Sequence, residues 1–356
     1  MERFLLPLLC TVLVIISLVM LQSIYPAGVV TQLVAFGIGI GAYFTVSSIP
    51  FSFWKKTAVP LFVFIVVMLF ITIVVGKTTN GSTRWISLIG MQFQPSQTAK
   101  PLLGLYLCVL LLQTGKKKKN IYKHLAFGLT PILLVFLQPD LGTALILTAV
   151  FGAALYFCDI PIKVLLGIAV VSLLISGVGW KFFLHDYQRN RVLTYIDPVS
   201  DLLGRGYHAS QATISVGSGK VIGRGLGHGV QSGLRFLPER QTDFMFASYA
   251  EELGFMGVLL LFSLYIALFV FLFYISSKII DPVGKAFSLV TISSLFVQSA
   301  MNIGMNIGLL PIAGVTLPFL SLGGSSVISI LFAFGLISSA YHANPQRHLV
   351  EIRSFV

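Results

Sequence analysis

The sequence predicts an all-α integral membrane protein of about ten transmembrane helices, with both termini cytoplasmic and one long extracytoplasmic loop between spans seven and eight. Three observations predict it. First, 56% of the 356 residues are apolar and only 10% charged, with a mean hydropathy of +0.91; an ordinary soluble domain carries about 25% charged residues. Such a chain cannot cover itself with polar surface, which excludes a soluble enzyme, a secreted module and a disordered protein. Second, apolar runs of about 20 residues, enough to cross a bilayer as helix, recur along the chain. Third, the formal charge of +12, from 24 Lys and Arg against 12 Asp and Glu, is sorted by side of the membrane. That is the pattern of a topology signal, and no nucleic-acid partner is implied.

The spans fall at about 4–22, 27–48, 57–75, 96–113, 124–138, 141–158, 162–184, 252–275, 286–309 and 324–342. Met1–Gln22 is too long for a signal peptide and has no small-residue cleavage site, so it is read as the first span. An even count puts both termini on one side. With that side cytoplasmic, the inner segments hold 13 of the 24 cations, among them the run Lys116-Lys117-Lys118-Lys119, while the short outer segments hold only Lys77 and Arg84. The positive-inside rule is then met at every short loop. Lys100 and Lys181 lie within or at the end of spans. The remaining seven cations, Arg189, Arg191, Arg205, Lys220, Arg224, Arg235 and Arg240, all fall in one outer loop of 59 residues, 185–243. Loops longer than about 15 residues are usually functional or disordered. This one has aromatic, apolar and spaced glycine positions and is expected to fold on the outer face, partly as re-entrant or interfacial helix. Residues 1–356 thus form a single polytopic membrane domain with 185–243 folded within it. Cys10, Cys108 and Cys158 sit in apolar runs without metal-ligand spacing, so neither disulfide nor zinc site is implied. No period of 20–50 residues marks a solenoid.

Polar groups at membrane depth are the candidates for chemistry. Lys100 lies one turn inside span four, in Gln94-Pro-Ser-Gln-Thr-Ala-Lys100, and Asp140 opens span six in Gln138-Pro-Asp140-Leu-Gly-Thr143. The two could pair with each other; alternatively Asp140 N-caps its helix and Lys100 snorkels to the headgroups. Asp243, in Thr242-Asp243-Phe244-Met-Phe, has apolar surroundings suited to a general base near neutral pH, or it is the N-cap of span eight. Glu251 and Glu252, at the mouth of that span, read as ordinary solvated interfacial carboxylates. The cluster Gly217-Ser-Gly219-Lys220-Val-Ile-Gly223-Arg224-Gly225-Leu-Gly227-His-Gly229 fails the Walker spacing, because Ile214 stands where a glycine is required. Lys220 and Arg224 could still hold an anion there, but a structural turn is the safer reading. Trp85 is read as an interfacial aromatic, with Arg84 beside it able to take a phosphate. Asn302 and Asn306, before the Pro/Gly/Ser-rich loop 311–326, more often bond neighbouring helices than ligands. These features fit an amphiphilic, phosphate-bearing substrate without separating enzyme from transporter.

Beyond this, Trp85, Gln94-Pro-Ser96, Gln138-Pro-Asp-Leu-Gly-Thr143, His185-Asp-Tyr-Gln-Arg189-Asn-Arg191, Gly206-Tyr-His208, Phe236-Leu-Pro-Glu-Arg240, Thr242-Asp243-Phe, Asn302-Ile-Gly-Met305, Gly308-Leu-Leu-Pro311, Leu317-Pro-Phe and Gly323-Gly-Ser-Ser326 resemble the SEDS proteins. The His-Asp-Tyr-Gln block points to the RodA branch, not FtsW. The resemblance, over about 81–335, implies a peptidoglycan glycosyltransferase that polymerises lipid II on the outer face of the bacterial cytoplasmic (inner) membrane during elongation. It implies Asp243 as the catalytic residue and places Trp85, Lys100 and Asp140 on the family's motif positions; these three, with Arg84 from its place beside Trp85, are the candidate substrate-binding residues. Lipid II, lipid-linked nascent glycan and a class B penicillin-binding protein are the implied partners. Arg189, Arg191, Lys220, Arg224 and Arg240 are the candidate pyrophosphate ligands. No cofactor is required by the sequence; a divalent cation could assist, although no ligand cluster argues for one. The chain departs from the family at Gln97 (often Glu), Gln241 (often His), Leu322 (often Tyr) and Thr316 (often Pro). The rival readings are a lipid II flippase, which would need charged groups through both halves of the spans, and a cell-wall scaffold.

Overall fold

The apolar runs fold as expected. In the computed structural model, which describes residues 2–79, 82–88, 91–113, 121–163, 167, 205–234 and 236–343, they form α1 (Glu2–Ile24), α2 (Ala27–Ser48), α3 (Phe51–Val75), α4 (Pro95–Gln113), α5 (Ile121–Gly128), α6 (Thr130–Leu137) and α7 (Leu141–Phe157). After these come α8 (Arg205–Ser218), the single turn α9 (Val230–Gly233), α10 (Met245–Lys278), α11 (Pro282–Asn306) and α12 (Gly324–His342). Six of the described helices, α1, α2, α3, α10, α11 and α12, are long and apolar enough to cross a membrane; α7 and the apolar stretch 123–137 are shorter. The predicted fifth span is therefore two helices, restarted at Thr130-Pro131, where the missing proline N–H is one the first turn leaves free anyway. Most of the predicted seventh span, and residues 185–204 of the long loop, lie outside the described residues.

The bundle is built around α4, which packs against α3, α7, α11 and α12 and is buried on nearly every side. That placement explains its composition: a helix shielded from lipid can carry Ser96, Gln97 and Lys100, which a lipid-facing one could hold only at a large cost. Between α3 and α4 lies an element the helical reading missed. Strands β1 (Lys77–Thr79), β2 (Ser82–Leu88) and β3 (Met91–Phe93) form an antiparallel sheet, with Lys77 opposite Trp85 and Ile86 opposite Phe93. The segment's threonines, Ile86 and Trp85 suit a pleated backbone.

α10 is broken at Gly254 (φ 66°, ψ −166°), and the glycine cluster fills the break. Arg224 N donates to Glu251 O (3.0 Å) and Gly225 N to Glu252 O (2.9 Å), while Phe255 N and Met256 N donate to Lys220 O and Val221 O (2.9 and 3.0 Å). A Cβ on Gly254 would stand 2.1 Å from Gly223 N, and one on Gly223 2.1 Å from Glu252 O. The two glycines meet backbone to backbone, so the cluster is a structural turn. Glu251 and Glu252 correct their sequence reading: both are buried. Glu251 accepts from Gln231 N, Ser232 N and Ser232 Oγ (2.8–3.0 Å), and Glu252 accepts from Ser23 Oγ at the end of α1 (2.8 Å). The carboxylates staple the long loop to the bundle.

The connection 307–323 between α11 and α12 has no strand or α-helix. Irregular backbone inside a bundle needs side-chain partners, because no water is at hand to supply them. Here they come from four helices. Val315 O and Thr316 O accept from Asn302 and Gln298 of α11 (2.6 and 2.9 Å), Pro318 O from Tyr265 of α10, Leu320 O from Ser17 of α1 (2.6 Å) and Ser321 O from Gln32 of α2 (3.2 Å).

Candidate active site

The site is assembled where β2, α7, the start of α10 and the 307–323 connection meet. Asp140 N-caps α7, as the sequence suggested: Oδ1 accepts from Thr143 N (3.1 Å) and Oδ2 from Thr143 Oγ1 (2.9 Å). Oδ2 also accepts from Gln94 Nε2 (3.1 Å) and faces Arg84 Nη1 at 3.5 Å. The expected Lys100–Asp140 pair is therefore not a direct one; Arg84 takes the carboxylate. Lys100 is buried and does not snorkel. Its ammonium donates to Gln298 Oε1 (2.6 Å), whose own amide reaches Thr316 O. The lysine thus acts on the connection through a relay.

Gly142 completes the Asp140 motif by close approach. A Cβ there would lie 2.3 Å from Ala313 O, so only glycine lets the connection lie against the first turn of α7. The next residue, Gly314 (φ 69°), is the meeting point of the site. A Cβ on it would stand 3.6 Å from Asp243 Oδ2 and 3.9 Å from Arg84 Nη1. A carboxylate and a guanidinium therefore flank one bare stretch of backbone, with Asp140 behind the guanidinium.

Asp243 does not N-cap α10. That position is Phe244, without a side-chain cap, and the first-turn donor Ala247 N is satisfied from another helix, by Asn306 Oδ1 (3.1 Å). Asn302 and Asn306, one turn apart on α11, both donate to Asp243 O (3.0 Å each), and Asn302 also holds Val315 O. The asparagines bond protein, as expected, and what they bond is the main chain on either side of the Asp243–Gly314 contact. Arg84 Nε, Gln97 Oε1 and Thr316 Oγ1 are buried with no hydrogen-bond partner in the protein. Beside Lys100, a narrow apolar crevice runs between α4, α7, α11 and α12, lined by Gly104, Val150, Phe287, Leu295 and Ile330.

Asp243, Arg84 and Asp140 are thus brought together, with half-buried Trp85 next along β2 and Lys100 linked through Gln298. Other candidates stand elsewhere. Arg240 donates from Nε and Nη2 to Ile24 O (3.2 and 3.0 Å), at the C-terminus of α1. Arg224 Nε bonds Ser218 O and Oγ (3.3 and 3.2 Å), and Lys220 is exposed beside it, both at the α10 break, about three turns of helix from Asp243. Arg189 and Arg191 lie outside the described residues. Among the described residues no three His, Cys, Asp or Glu side chains converge as a metal-ligand set. Gln298 went unnoticed in the sequence; its signal is an amide in the middle of an apolar run.

This arrangement can be compared with known proteins. The sequence matches the FtsW/RodA/SpoVE cell cycle proteins over residues 2–346. The chain belongs to that family. Among its relatives, the peptidoglycan glycosyltransferase MrdB of Escherichia coli K12 is 38% identical over 306 residues, 85% of this chain and 82% of MrdB. A probable peptidoglycan glycosyltransferase FtsW of Hydrogenovibrio crunogenus is 33% identical over 86% of this chain and 80% of its own length. Among solved structures, a chain of a peptidoglycan synthase complex that coordinates polymerisation and crosslinking superposes with a TM-score of 0.82 at 30% identity, covering 95% of this chain and 97% of that one. The rod shape determining protein RodA of Thermus thermophilus superposes at 0.71 with 28% identity, covering 95% of each chain. Family membership makes this helical bundle a multi-pass membrane protein of the FtsW/RodA/SpoVE type.

Proposed function

We propose that this chain is a peptidoglycan glycosyltransferase that polymerises lipid II at the Asp243–Arg84 cluster. The 4-hydroxyl of the acceptor's GlcNAc attacks C1 of the donor's MurNAc, the C1–O bond to pyrophosphate breaks, and undecaprenyl pyrophosphate leaves with the bonding pair. The hydroxyl proton passes to Asp243, the general base, a role worth about 10²–10⁴ in rate. The leaving pyrophosphate gathers charge, and a fixed guanidinium beside it lowers the barrier. Arg84 supplies this, paired with Asp140. The observation that carries the reading is the convergence of the Asp243 carboxylate and the Arg84 guanidinium on Gly314. No step is routed through a metal ion.

The positive-inside distribution of charge supports an orientation in which this end of the bundle faces outward from the bacterial cytoplasmic membrane. The likeness to a chain from a synthase complex supports a class B penicillin-binding protein as the transpeptidase partner, with the lipid-linked nascent glycan as the second substrate. The test is polymer formation from purified lipid II by the chain with its partner, wild type against Asp243→Ala. Loss of polymer in the variant is expected. Normal polymerisation by Asp243→Ala rejects the base assignment, and lipid II transfer between leaflets without polymer rejects the enzyme reading for the flippase.

A further inference from the structure

The turn that plugs the α10 break carries a feature the catalytic reading does not use. Val221 and Ile222 are exposed, Ile222 at 81%, and they lie between two exposed cations, Lys220 and Arg224. Their position is fixed. Lys220 (φ 49°) and Gly223 (φ 80°) take left-handed backbone, Gly223 N closes the turn on Gly219 O (2.8 Å), and Phe255 N and Met256 N bond Lys220 O and Val221 O. The apolar pair is thereby laid along the first turn of the lower part of α10. The exposed surface continues from it without interruption through Phe255, Met256, Leu259 and Leu260.

The depth of this turn follows from helix geometry. From Phe255 to Lys278 α10 runs 24 residues, about 36 Å at 1.5 Å per residue. Lys278 ends the helix as a cation at one membrane surface. A hydrocarbon core of about 30 Å is then used up after about 20 residues, close to Val258. Phe255 and Met256, and Val221 and Ile222 with them, fall in the headgroup–acyl boundary of the opposite leaflet. An apolar pair between two cations at that depth has the composition of an interfacial anchor, with apolar atoms toward the acyl chains and cations at the phosphates.

We infer that Val221 and Ile222 insert into the boundary of the leaflet at the Asp243 end, with Lys220 and Arg224 holding phospholipid headgroup phosphates. The occupant is the bilayer, because the exposed surface is continuous with the lipid-facing side of α10 and its flanking charge is complementary to phosphate. The two cations are then anchors for bulk lipid, distinct from any pyrophosphate ligand at Asp243.

The test is a nitroxide at Ile222→Cys in the full chain, reconstituted in phosphatidylcholine vesicles with and without phosphatidylglycerol. The three native cysteines are buried, so labelling is selective, and Ile222 is exposed enough for the substitution to leave folding intact. Power-saturation measurements should show the label open to oxygen and protected several-fold from a water-soluble nickel chelate, at the depth of the headgroup–acyl boundary. Phosphatidylglycerol should lower the label's mobility, and Lys220→Gln with Arg224→Gln should abolish that response. Full nickel access in vesicles refutes insertion. Shielding from both reagents that appears only with the transpeptidase partner assigns the surface to protein and refutes the lipid. A phosphatidylglycerol response that survives the double substitution refutes the headgroup contact.

Discussion

Asn302 offers the sharpest test of how the site is held. Its amide donates to both Val315 O and Asp243 O, and Asn306 donates to Asp243 O as well. Asn302→Ala takes the amide from Val315 O, which costs about 1–3 kcal/mol, and leaves the Asn306 bond to Asp243 O in place. Asn306→Ala keeps the Asn302 bond to Asp243 O but strands Ala247 N, at a similar cost of about 1–3 kcal/mol. Only the double variant removes both asparagines from Asp243 O, so its cost should exceed the sum of the singles, by a coupling of about 0.5–3 kcal/mol. The functional consequence separates positioning from mere stability. A displacement of about 1 Å at a reacting group can cost about 10²-fold in rate, so each single variant should lower kcat for lipid II polymerisation with KM little changed. The assay is single-turnover polymerisation in nanodiscs below the melting transition, with thermal unfolding recorded in parallel. If the double variant melts as a simple sum of the singles, or if a destabilised Asn302→Ala polymerises at the wild-type kcat, the clamp on Asp243 is wrong.

Other substitutions probe the remaining contacts. Gln298→Leu should destabilise the protein more than Lys100→Met, because it strands a buried ammonium while Lys100→Met removes it; equal losses of melting temperature would argue against the relay. Gly142→Ala drives a Cβ to 2.3 Å from Ala313 O and should cost at least about 1–3 kcal/mol, the usual range for overpacking, along with most polymerase activity; an active variant of unchanged melting temperature would show that the connection can move. Gly254→Ala meets both a positive φ and the Gly223 backbone and should prevent accumulation of folded protein, as judged by size-exclusion of the solubilised chain. Arg84→Lys keeps the charge but not the planar fork, so it should retain part of the activity that Arg84→Ala loses; indistinguishable rates would reduce Arg84 to a structural partner of Asp140.

What could be read from the sequence was local. Helices in lipid need only sustained apolar runs, and the Asp140 cap is written within a single turn of chain, Asp140 to Thr143. The contacts that define the site are not local. Lys100 meets Gln298 across 198 residues, Glu252 meets Ser23 across 229, and Asn306 caps α10 from 59 residues away. Nothing near Glu251 or Glu252 distinguishes a solvated carboxylate from a buried staple, because the donors arrive from α1 and α9. The break at Gly254 was equally hidden: one glycine in an apolar helix is ordinary, and only the facing glycine at 223 makes it a junction. The small sheet was missed because threonines between two spans read equally well as loop. The motif around Asp243 singles the residue out, yet Asn302 and Asn306, which hold its main chain, come from α11.

The pinning of the 307–323 connection also constrains how the protein is made. Ser17 and Gln32, on the first two helices, find their partners in Leu320 and Ser321, 303 and 289 residues later in the chain. At a synthesis rate of about 5–20 residues per second, that is an interval of about 15–60 s. During it, two polar side chains wait in the membrane for partners that lie far along the chain. The bonds that α1 and α2 make to the connection therefore form late, and the connection is pinned only once Leu320 and Ser321 have been made.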